Sequence, residues 1–580
     1  MKPAQAPSTS LRDRIAGSDP LRRALLACTA VMLAAALGLP QVLALPPTIT
    51  NYFFVTDALW LTGIAFILAL GATVTIPEGL GRWVRLAQAP ARSIGIVAFL
   101  VVLVTLIGTF VVFHGVPLSY DEVMADFDAK VFLGGHQIAP IVPEWRHSVP
   151  ALATSFVLPV PNDAAWVSAY LPVNAVFRAS FALFASPTLT GPVLLAVAVL
   201  ALAGIARRLW PDRPDAALVA VLMLATSPQV LIAAMTPYAM TAHLALNFVW
   251  LQLFLRGGRH GHGGAIATGF LACGLHQVIF HPLFALPFLV GLITGRRWRL
   301  AALYLAAYAA IGAFWTLYWH GLLVATGYAG QGEAVGCGFM VERVAMLLRD
   351  FEWRGLETMA MNVVRFAAWQ SPLLLPLTAL AWPAIRRGEG LARPLAAGLF
   401  ITVGAMFVLL PYQGHGWGYR YLHGLIGNAS LLAAHGWIRI TGTPAPHRRS
   451  VAAAILGLGW IAAVLILVPG RALEANRFAA PYAKAVEAIA RSPADIVLVD
   501  DANLVYGMDL VRNDPYLRER PTVLLLRRLS TEKLAELCAT RTIALFGQTE
   551  GARFGIALAQ ELTAPAVPAI PCSVAAVPVP

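Results

Sequence analysis

Ser93-Ile-Gly-Ile-Val-Ala-Phe-Leu-Val-Val-Leu-Val-Thr-Leu-Ile-Gly-Thr-Phe-Val-Val-Phe-His114 runs directly into Leu118-Ser-Tyr-Asp-Glu-Val-Met-Ala-Asp-Phe-Asp-Ala-Lys-Val-Phe-Leu-Gly-Gly135. The first stretch has no Asp, Glu, Lys or Arg and is long enough to cross a hydrocarbon core as a helix. The second concentrates acids just beyond the crossing. The pattern is general: of 580 residues, 58% are hydrophobic and only 12% charged, against about 25% charged in an ordinary soluble protein. Mean hydropathy is +0.70. A soluble enzyme is excluded. Because lipid admits only helices and closed barrels, long apolar runs of this kind indicate an all-α polytopic membrane protein.

Apolar runs predict thirteen crossings, at 24–45, 57–77, 93–114, 187–206, 216–234, 239–255, 264–280, 282–295, 300–322, 370–385, 394–411, 422–438 and 451–469. The run at 282–295 is short and has a tilted or re-entrant reading as well. With a cytoplasmic N-terminus, the inner segments hold 22 Lys and Arg and the outer ones 8, as the positive-inside rule requires. The basic, then apolar, N-terminus through Leu45 reads as an anchor, since its apolar run is long and no small-residue cleavage site is evident. The expected organisation is a cytoplasmic tail (1–23), a membrane domain (24–469) with outer loops at 115–186 and 323–369, and an extracytoplasmic domain (470–580). The net charge of +12 lies entirely before residue 470, since 470–580 holds 12 basic and 12 acidic residues. Topology accounts for it without a nucleic-acid partner. The short Gly-rich loop Arg256–Gly264 reads as a flexible basic connector.

The last segment predicts a small α/β domain, with a helix over Ala479–Ala490, strands at Ile496–Asp500, Thr522–Leu526 and Thr542–Phe546, helices around Val505–Leu510 and Thr531–Ala539, and an irregular Pro-rich end. No Gly-rich phosphate loop follows any strand, so a nucleotide site is not indicated. Cys538 and Cys572 both fall here, and pairing and free thiols are left open. No metal-ligand spacing occurs among the five cysteines.

Within Leu118–Gly135, Tyr120, Met124, Phe127 and Val131 recur as one apolar helical face, beside an i,i+4 stripe of Glu122, Asp126 and Lys130. Asp121 and Asp128 share a third stripe. This helix is expected on the outer membrane surface, holding carboxylates at headgroup depth. Ser119-x-x-Glu122 also fits a capping box, which uses one of the acids. A second cluster lies at Gly414-His415-Gly-Trp-Gly-Tyr-Arg420-Tyr421, where glycines let the backbone approach a ligand and one outer arginine stands among aromatics. A Gly-rich turn with interfacial aromatics is the simpler reading of that stretch. His276 and His281, five apart near the outer surface, are candidates to line a polar cavity, and with the loop acids they leave a divalent ion open; no metal ligand is assigned.

An Asp-Glu pair just after a span, opening the first large outer loop and continuing as a helix toward a Gly, resembles the signature of the GT-C membrane glycosyltransferases, the superfamily of protein O-mannosyltransferases and lipid A aminoarabinose transferases. Trp166-Val-Ser-Ala-Tyr170-Leu-Pro172 resembles that superfamily's Tyr-Pro-Pro-Gly stretch, and Arg207–Arg213, Ser227-Pro228 and Gly414–Tyr421 follow its order. The resemblance covers roughly residues 93–440, and two extra spans precede it. It implies transfer of a sugar from a polyprenyl-phosphate donor to a hydroxyl of a lipid, glycan or protein acceptor on the outer face of a plasma (bacterial inner) membrane. Single displacement then needs a carboxylate for the acceptor proton and cations for the departing phosphate. Asp121 is the first candidate base and Glu122 its alternative or partner. Arg420 is the first candidate for the phosphate, with Lys130, Arg146 and Arg178 behind it. Asp128, Tyr170, His276, His281, His415 and Tyr421 complete the candidate substrate contacts. The competing reading is a transporter or flippase of lipid-linked sugars; the absence of an internal repeat and the gathering of acids at one face weigh against it.

Overall fold

The computed structural model describes residues 19–42, 49–73, 90–152, 155–327, 345, 349, 353–442, 446–502, 504–558 and 568–578. In the N-terminal part, α1 (Pro20–Val42), α2 (Ile49–Thr73) and α3 (Pro90–Val111) precede α4 (Tyr120–Leu133), which opens the first outer loop. Short strands β1 (Ala139–Pro140), β2 (Val157–Leu158) and β3 (Ala165–Ser168) form an antiparallel patch with β3 in the middle. Helix α5 (Val173–Phe184) leads back to the bundle: α6 (Thr190–Leu209), α7 (Pro214–Ala225), α8 (Pro228–Ala234), α9 (Met240–Arg256), α10 (Gly258–Cys273), α11 (Phe280–Thr294) and α12 (Trp298–Ala325). Then come α13 (Trp353–Ala368), α14 (Leu374–Leu380), α15 (Trp382–Arg387), α16 (Ala392–Leu409), α17 (Ile426–Thr441), α18 (Pro446–Ala462) and α19 (Val468–Ala490).

Every one of the thirteen apolar runs contains helix, but the number of long crossings is lower. Among the described residues seven helices are long and apolar enough to span, and α7 with α8 makes an eighth if the pair, bent by 59°, is one crossing. The bend falls at Ser227-Pro228, where proline has no N–H to give the preceding turn. Shorter helices such as α17 have nearly all their residues buried among their neighbours. A helix enclosed by protein need not match the bilayer, because other helices satisfy its ends.

The last crossing does not stop where expected. α18, one π turn at Ala463–Leu467 and α19 form a continuous helical run to Ala490, so the helix anticipated at Ala479–Ala490 is the end of the final crossing and carries the terminal domain. The strands β4 (Ile496–Val499), β5 (Thr522–Leu525) and β6 (Ile543–Phe546) lie where their β-branched runs fall, with α20 (Thr531–Thr540) and α21 (Gln548–Phe554) between or after them. With β7 (Ala575–Ala576) they form a parallel sheet of order β5-β4-β6-β7, Ile496 pairing in register with Thr522 and Ile543. The near-continuous apolar sequence of β4, Ile-Val-Leu-Val, is that of a strand buried on both faces, and all four residues are buried. Two expectations fail: Val505–Leu510 forms only a 3-10 turn at Gly507–Leu510, and the Pro-rich end supplies β7 (Ala575–Ala576) to the sheet edge. Cys538 and Cys572 are joined as a disulfide, tying α20 to the segment before β7.

The apolar face of α4 is also corrected. Met124, Phe127 and Val131 do not face lipid; they belong to one buried cluster with Trp145, Trp166 and the sheet residues Ile496, Leu498 and Leu524. Tyr120 donates to the Val511 carbonyl at 2.5 Å. Helix α4 is therefore sandwiched between the bundle and the terminal domain. Burial at about 25 cal/mol per Å2 of apolar surface makes this face a main source of domain docking.

Candidate active site

Ser119 is extended and starts α4, and the Glu122 carboxylate turns back to accept the backbone N–H groups of Leu118 at 2.5 Å and Ser119 at 2.8 Å. This is the capping half of the motif: the second acid is spent on the helix start. Asp121, one residue earlier, points the other way. Its Oδ2 lies 2.8 Å from Arg420 Nη1, and its Oδ1 accepts the Tyr170 hydroxyl. Residues 299 positions apart in sequence thus meet at the start of α4.

The loop before α17 is shaped to deliver Arg420. Gly414 and Gly418 have φ of +67° and +70°, and a Cβ on Gly416 would come within 2.3 Å of the Arg420 side chain. Gln413 holds both ends of the turn, accepting the Arg420 N–H at 2.9 Å and donating to the Gly418 carbonyl at 3.0 Å. The Arg420 guanidinium also donates to the Gln413 carbonyl. Behind the turn, Gln229 donates to the Tyr419 carbonyl at 2.8 Å, Gln370 to Gln229 at 3.0 Å, and Ser227 to Gln370 at 2.9 Å. Arg420 further lies over the Tyr238 ring at 5.1 Å, and the Tyr238 and Ser119 hydroxyls are 2.7 Å apart.

Two narrow clefts meet at this pair. One is lined by Asp121, Asp128, Tyr170, Asn174, Tyr238 and His276, the other by His243, Asn247, His276, Phe280, Arg420 and Tyr421. His276 belongs to both and stacks on Tyr170 at 4.9 Å. Tyr421 stacks on Phe280 at 5.5 Å. A larger cavity of about 390 Å3 opens on the opposite flank of α4, lined by Glu122, Asp126, Lys130, Arg178 and Arg512 over an apolar floor of Phe113, Met235 and Pro237.

Burial raises the proton affinity of Asp121, but Arg420 and the hydrogen bonds from Tyr170 and Arg420 outweigh it and hold the carboxyl below its usual range. Its neighbours go the other way. Burial pushes Glu122 up to about 7, against its two backbone donors and Arg512, and pushes Asp128 up to about 7 against a hydrogen bond from Ser168. Of the three acids, only Asp121 is held ionised by a cation that also faces a cleft.

The structure gathers Asp121, Asp128, Tyr170, His276, Arg420 and Tyr421, and separates the other candidates. Lys130 pairs with Glu519 at 3.2 Å, Arg178 donates to Asp126 at 2.7 Å, and Arg146 donates to the Ile141 carbonyl at 3.1 Å; none of the three lines either cleft. His281 is a correction: it is fully buried between helices, 2.8 Å from Asn247 and 2.6 Å from Tyr308, and does not share a cavity with His276. His415 stacks on Phe478 of α19 at 5.3 Å, beneath the Gly-rich turn. No three His, Cys, Asp or Glu side chains converge as a metal site among the described residues. The acids Glu333, Glu342, Asp350 and Glu352 of the second expected outer loop, 323–369, lie outside the described residues.

Sequence reasoning missed Tyr238, Asn174 and Gln413 as site residues. Tyr238 sits in an apolar-looking stretch after α8 and carries no local signal. It also missed a buried ion cluster behind the Gly-rich turn: Asp57 of α2 lies 3.3 Å from Arg365 of α13 and 2.8 Å from Arg471 of α19. An aspartate heading an apolar run was the available signal.

The chain matches no family model and no curated protein. Among solved structures it is similar to ArnT from Cupriavidus metallidurans bound to undecaprenyl phosphate, at 14% identity over 79% of this chain and 87% of that one, with a TM-score of 0.46. It is similar also to the apo state of the same protein, at 13% identity over 73% of this chain and 85% of that one, with a TM-score of 0.43.

Proposed function

We propose that this multi-pass membrane protein transfers a sugar from a polyprenyl-phosphate donor to a hydroxyl acceptor on the outer face of a plasma membrane, with inversion at the sugar carbon. The observation that carries the reading is the Asp121–Arg420 pair at the meeting of two clefts. It places a carboxylate and a cation within one contact, the two charges that single displacement at a sugar phosphate requires.

Asp121 and Arg420 occupy each other, and the low proton affinity of Asp121 makes it a weak base. An incoming phosphate competes for Arg420 through bidentate hydrogen bonds. As the guanidinium turns to the phosphate, Asp121 loses its cation and its proton affinity rises toward the range useful for catalysis. The acceptor oxygen then forms its bond to the sugar carbon from the opposite side as the carbon–oxygen bond to the phosphate breaks. The bonding electrons leave on the phosphate facing Arg420, and the acceptor proton passes to Asp121. Tyr170 orients the carboxylate, and Phe280 and Tyr421 offer apolar faces to sugar or lipid.

Purified protein in detergent, given labelled polyprenyl-phosphate sugars and membrane-extract acceptors, tests this directly. Transfer by the native chain that is lost in Asp121→Asn supports the reading and assigns the base. Transfer retained by the variant removes Asp121 from the role. Binding without transfer from any donor by the native chain moves the assignment to translocation of lipid-linked sugars.

A further inference from the structure

The two helices that precede the GT-C-like region have no role in the chemistry proposed above, yet α2 buries an aspartate. Asp57 is 1% exposed, and two guanidiniums and an indole converge on it: Arg365 Nε lies 3.3 Å from Oδ2, Arg471 Nη1 2.8 Å from Oδ1, and the Trp369 indole donates to Oδ1 at 2.7 Å. Arg471 is fully buried, lies over the Trp369 ring at 4.2 Å, and divides its charge between Asp57 and Glu474, the latter at 2.9 Å. Asp57 needs only one cation for neutrality. The second, Arg365, has a further commitment: its Nη2 donates to the carbonyl of Gly416.

Gly416 is the residue over which the Arg420 side chain passes. The contacts therefore run without a gap from α2 to the Asp121 pair, through Asp57, Arg365, the Gly416 carbonyl and the Arg420 stem. We infer that Asp57 and Arg365 are positioning residues: the N-terminal helix pair clamps the Gly414–Arg420 turn through Arg365 and so sets where the Arg420 guanidinium stands. A glycine turn with positive φ at Gly414 and Gly418 has many conformations open to it when unsupported. A charge-assisted hydrogen bond to its central carbonyl, made by an arginine whose own direction is fixed by a buried carboxylate, selects one of them. An error of about 1 Å in such placement is worth up to a hundredfold in rate. The clamp itself follows from the contacts, and its catalytic consequence rests on the function proposed above.

Arg365→Gln is the informative variant, because Asp57 keeps Arg471 and Trp369 and no buried charge is stranded. Backbone hydrogen exchange of full-length protein in detergent reads the clamp without any assumption about activity. Amides of 413–421 should exchange about tenfold faster or more in Arg365→Gln, the scale of one charge-assisted hydrogen bond, and Asp57→Asn added to that variant should change them no further. Unchanged exchange in folded Arg365→Gln overturns the inference. If that variant does not fold, Arg365→Lys, which keeps the charge but cannot reach both Asp57 and Gly416, takes its place with the same expectation.

The second reading is binding of undecaprenyl phosphate. Its affinity should fall about tenfold in Arg365→Gln but not when the change is made on an Arg420→Gln background, since the effect travels through Arg420. An equal loss on both backgrounds overturns the route through Arg420. A native protein that binds no undecaprenyl phosphate defeats the proposed function, while the exchange result still decides the clamp.

Discussion

Asp121 and Arg420 meet at 2.8 Å with side chains 20% and 9% exposed, beside clefts that end at the pair. Asp57, Arg365 and Arg471 make the same kind of contact with no side chain more than 3% exposed, and neither of those two clefts is lined by them. The chemistry of the two clusters is alike, and their surroundings differ. Asp57 is enclosed by two guanidiniums and an indole, whereas Asp121 and its cation border two clefts. An open couple can exchange partners, and a closed one can only hold position. On that difference rests the proposal that one cluster serves chemistry and the other architecture.

The contrast fails if the two clusters respond alike to substitution. The largest effect is expected for Asp121→Asn, a loss of about 10²- to 10⁴-fold in transfer, the usual range for a positioned general base, measured by initial rates on labelled donor. The melting midpoint should fall less than in Asp57→Asn, because the Asp121–Arg420 pair is more exposed and the change leaves Tyr170 a hydrogen-bond partner. Asp57→Asn should do the reverse. It takes the carboxylate from Arg365 and leaves Arg471 with Glu474 alone, and breaking a buried pair costs about 3–5 kcal/mol, read as a large drop in the melting midpoint. Arg420→Gln should lower transfer by about 10²- to 10³-fold, as for a lost electrostatic contact to a developing anion, with the loss shared between donor KM and kcat. A drop in the melting midpoint of Arg420→Gln comparable to that of Asp57→Asn would erase the distinction.

A smaller effect sharpens the comparison through pH. Asp121 has its proton affinity depressed by folding, so its pair contributes stability above the ordinary carboxylate value of about 4 and loses it as pH falls through the depressed value. Glu122 and Asp128, pushed up to about 7, act oppositely. Between about pH 4 and 7 the unfolded chain has lost these protons and the folded one keeps them, so stability declines as pH rises through that window and levels off above it. Asp509, also raised to about 7 by burial, adds to the slope. In Asp128→Asn the decline of melting midpoint with pH should be shallower by one group's share; an unaltered slope would remove Asp128 from the set.

Much of the site was legible because it depends on local pattern. The position of Asp121 after a crossing, the apolar phase of Tyr120, Met124, Phe127 and Val131, and the glycines around Arg420 are all properties of neighbouring residues. The partner of the apolar face was not legible: periodicity says that a face is buried, and the same four residues would serve against lipid or against a sheet. Lys130, Arg146 and Arg178 looked equivalent to Arg420 in sequence, since each is an outer cation. What separates them is which acid lies within reach after folding, and Glu519, Asp126 and the Ile141 carbonyl occupy the three others.

By itself the sequence determined an all-α membrane protein with a small α/β domain at its end, because hydropathy and strand pattern are short-range signals set by residue type. It also determined that the acids gather in one loop. The tertiary structure decided that Asp121 and not Glu122 faces the clefts, that His281 belongs to a helix interface, that Cys538 joins Cys572, and that Asp57 is linked through Arg365 to a turn 359 residues later in the chain. Those outcomes depend on which side chains arrive within about 3 Å of one another, and separation along a chain carries no information about that distance.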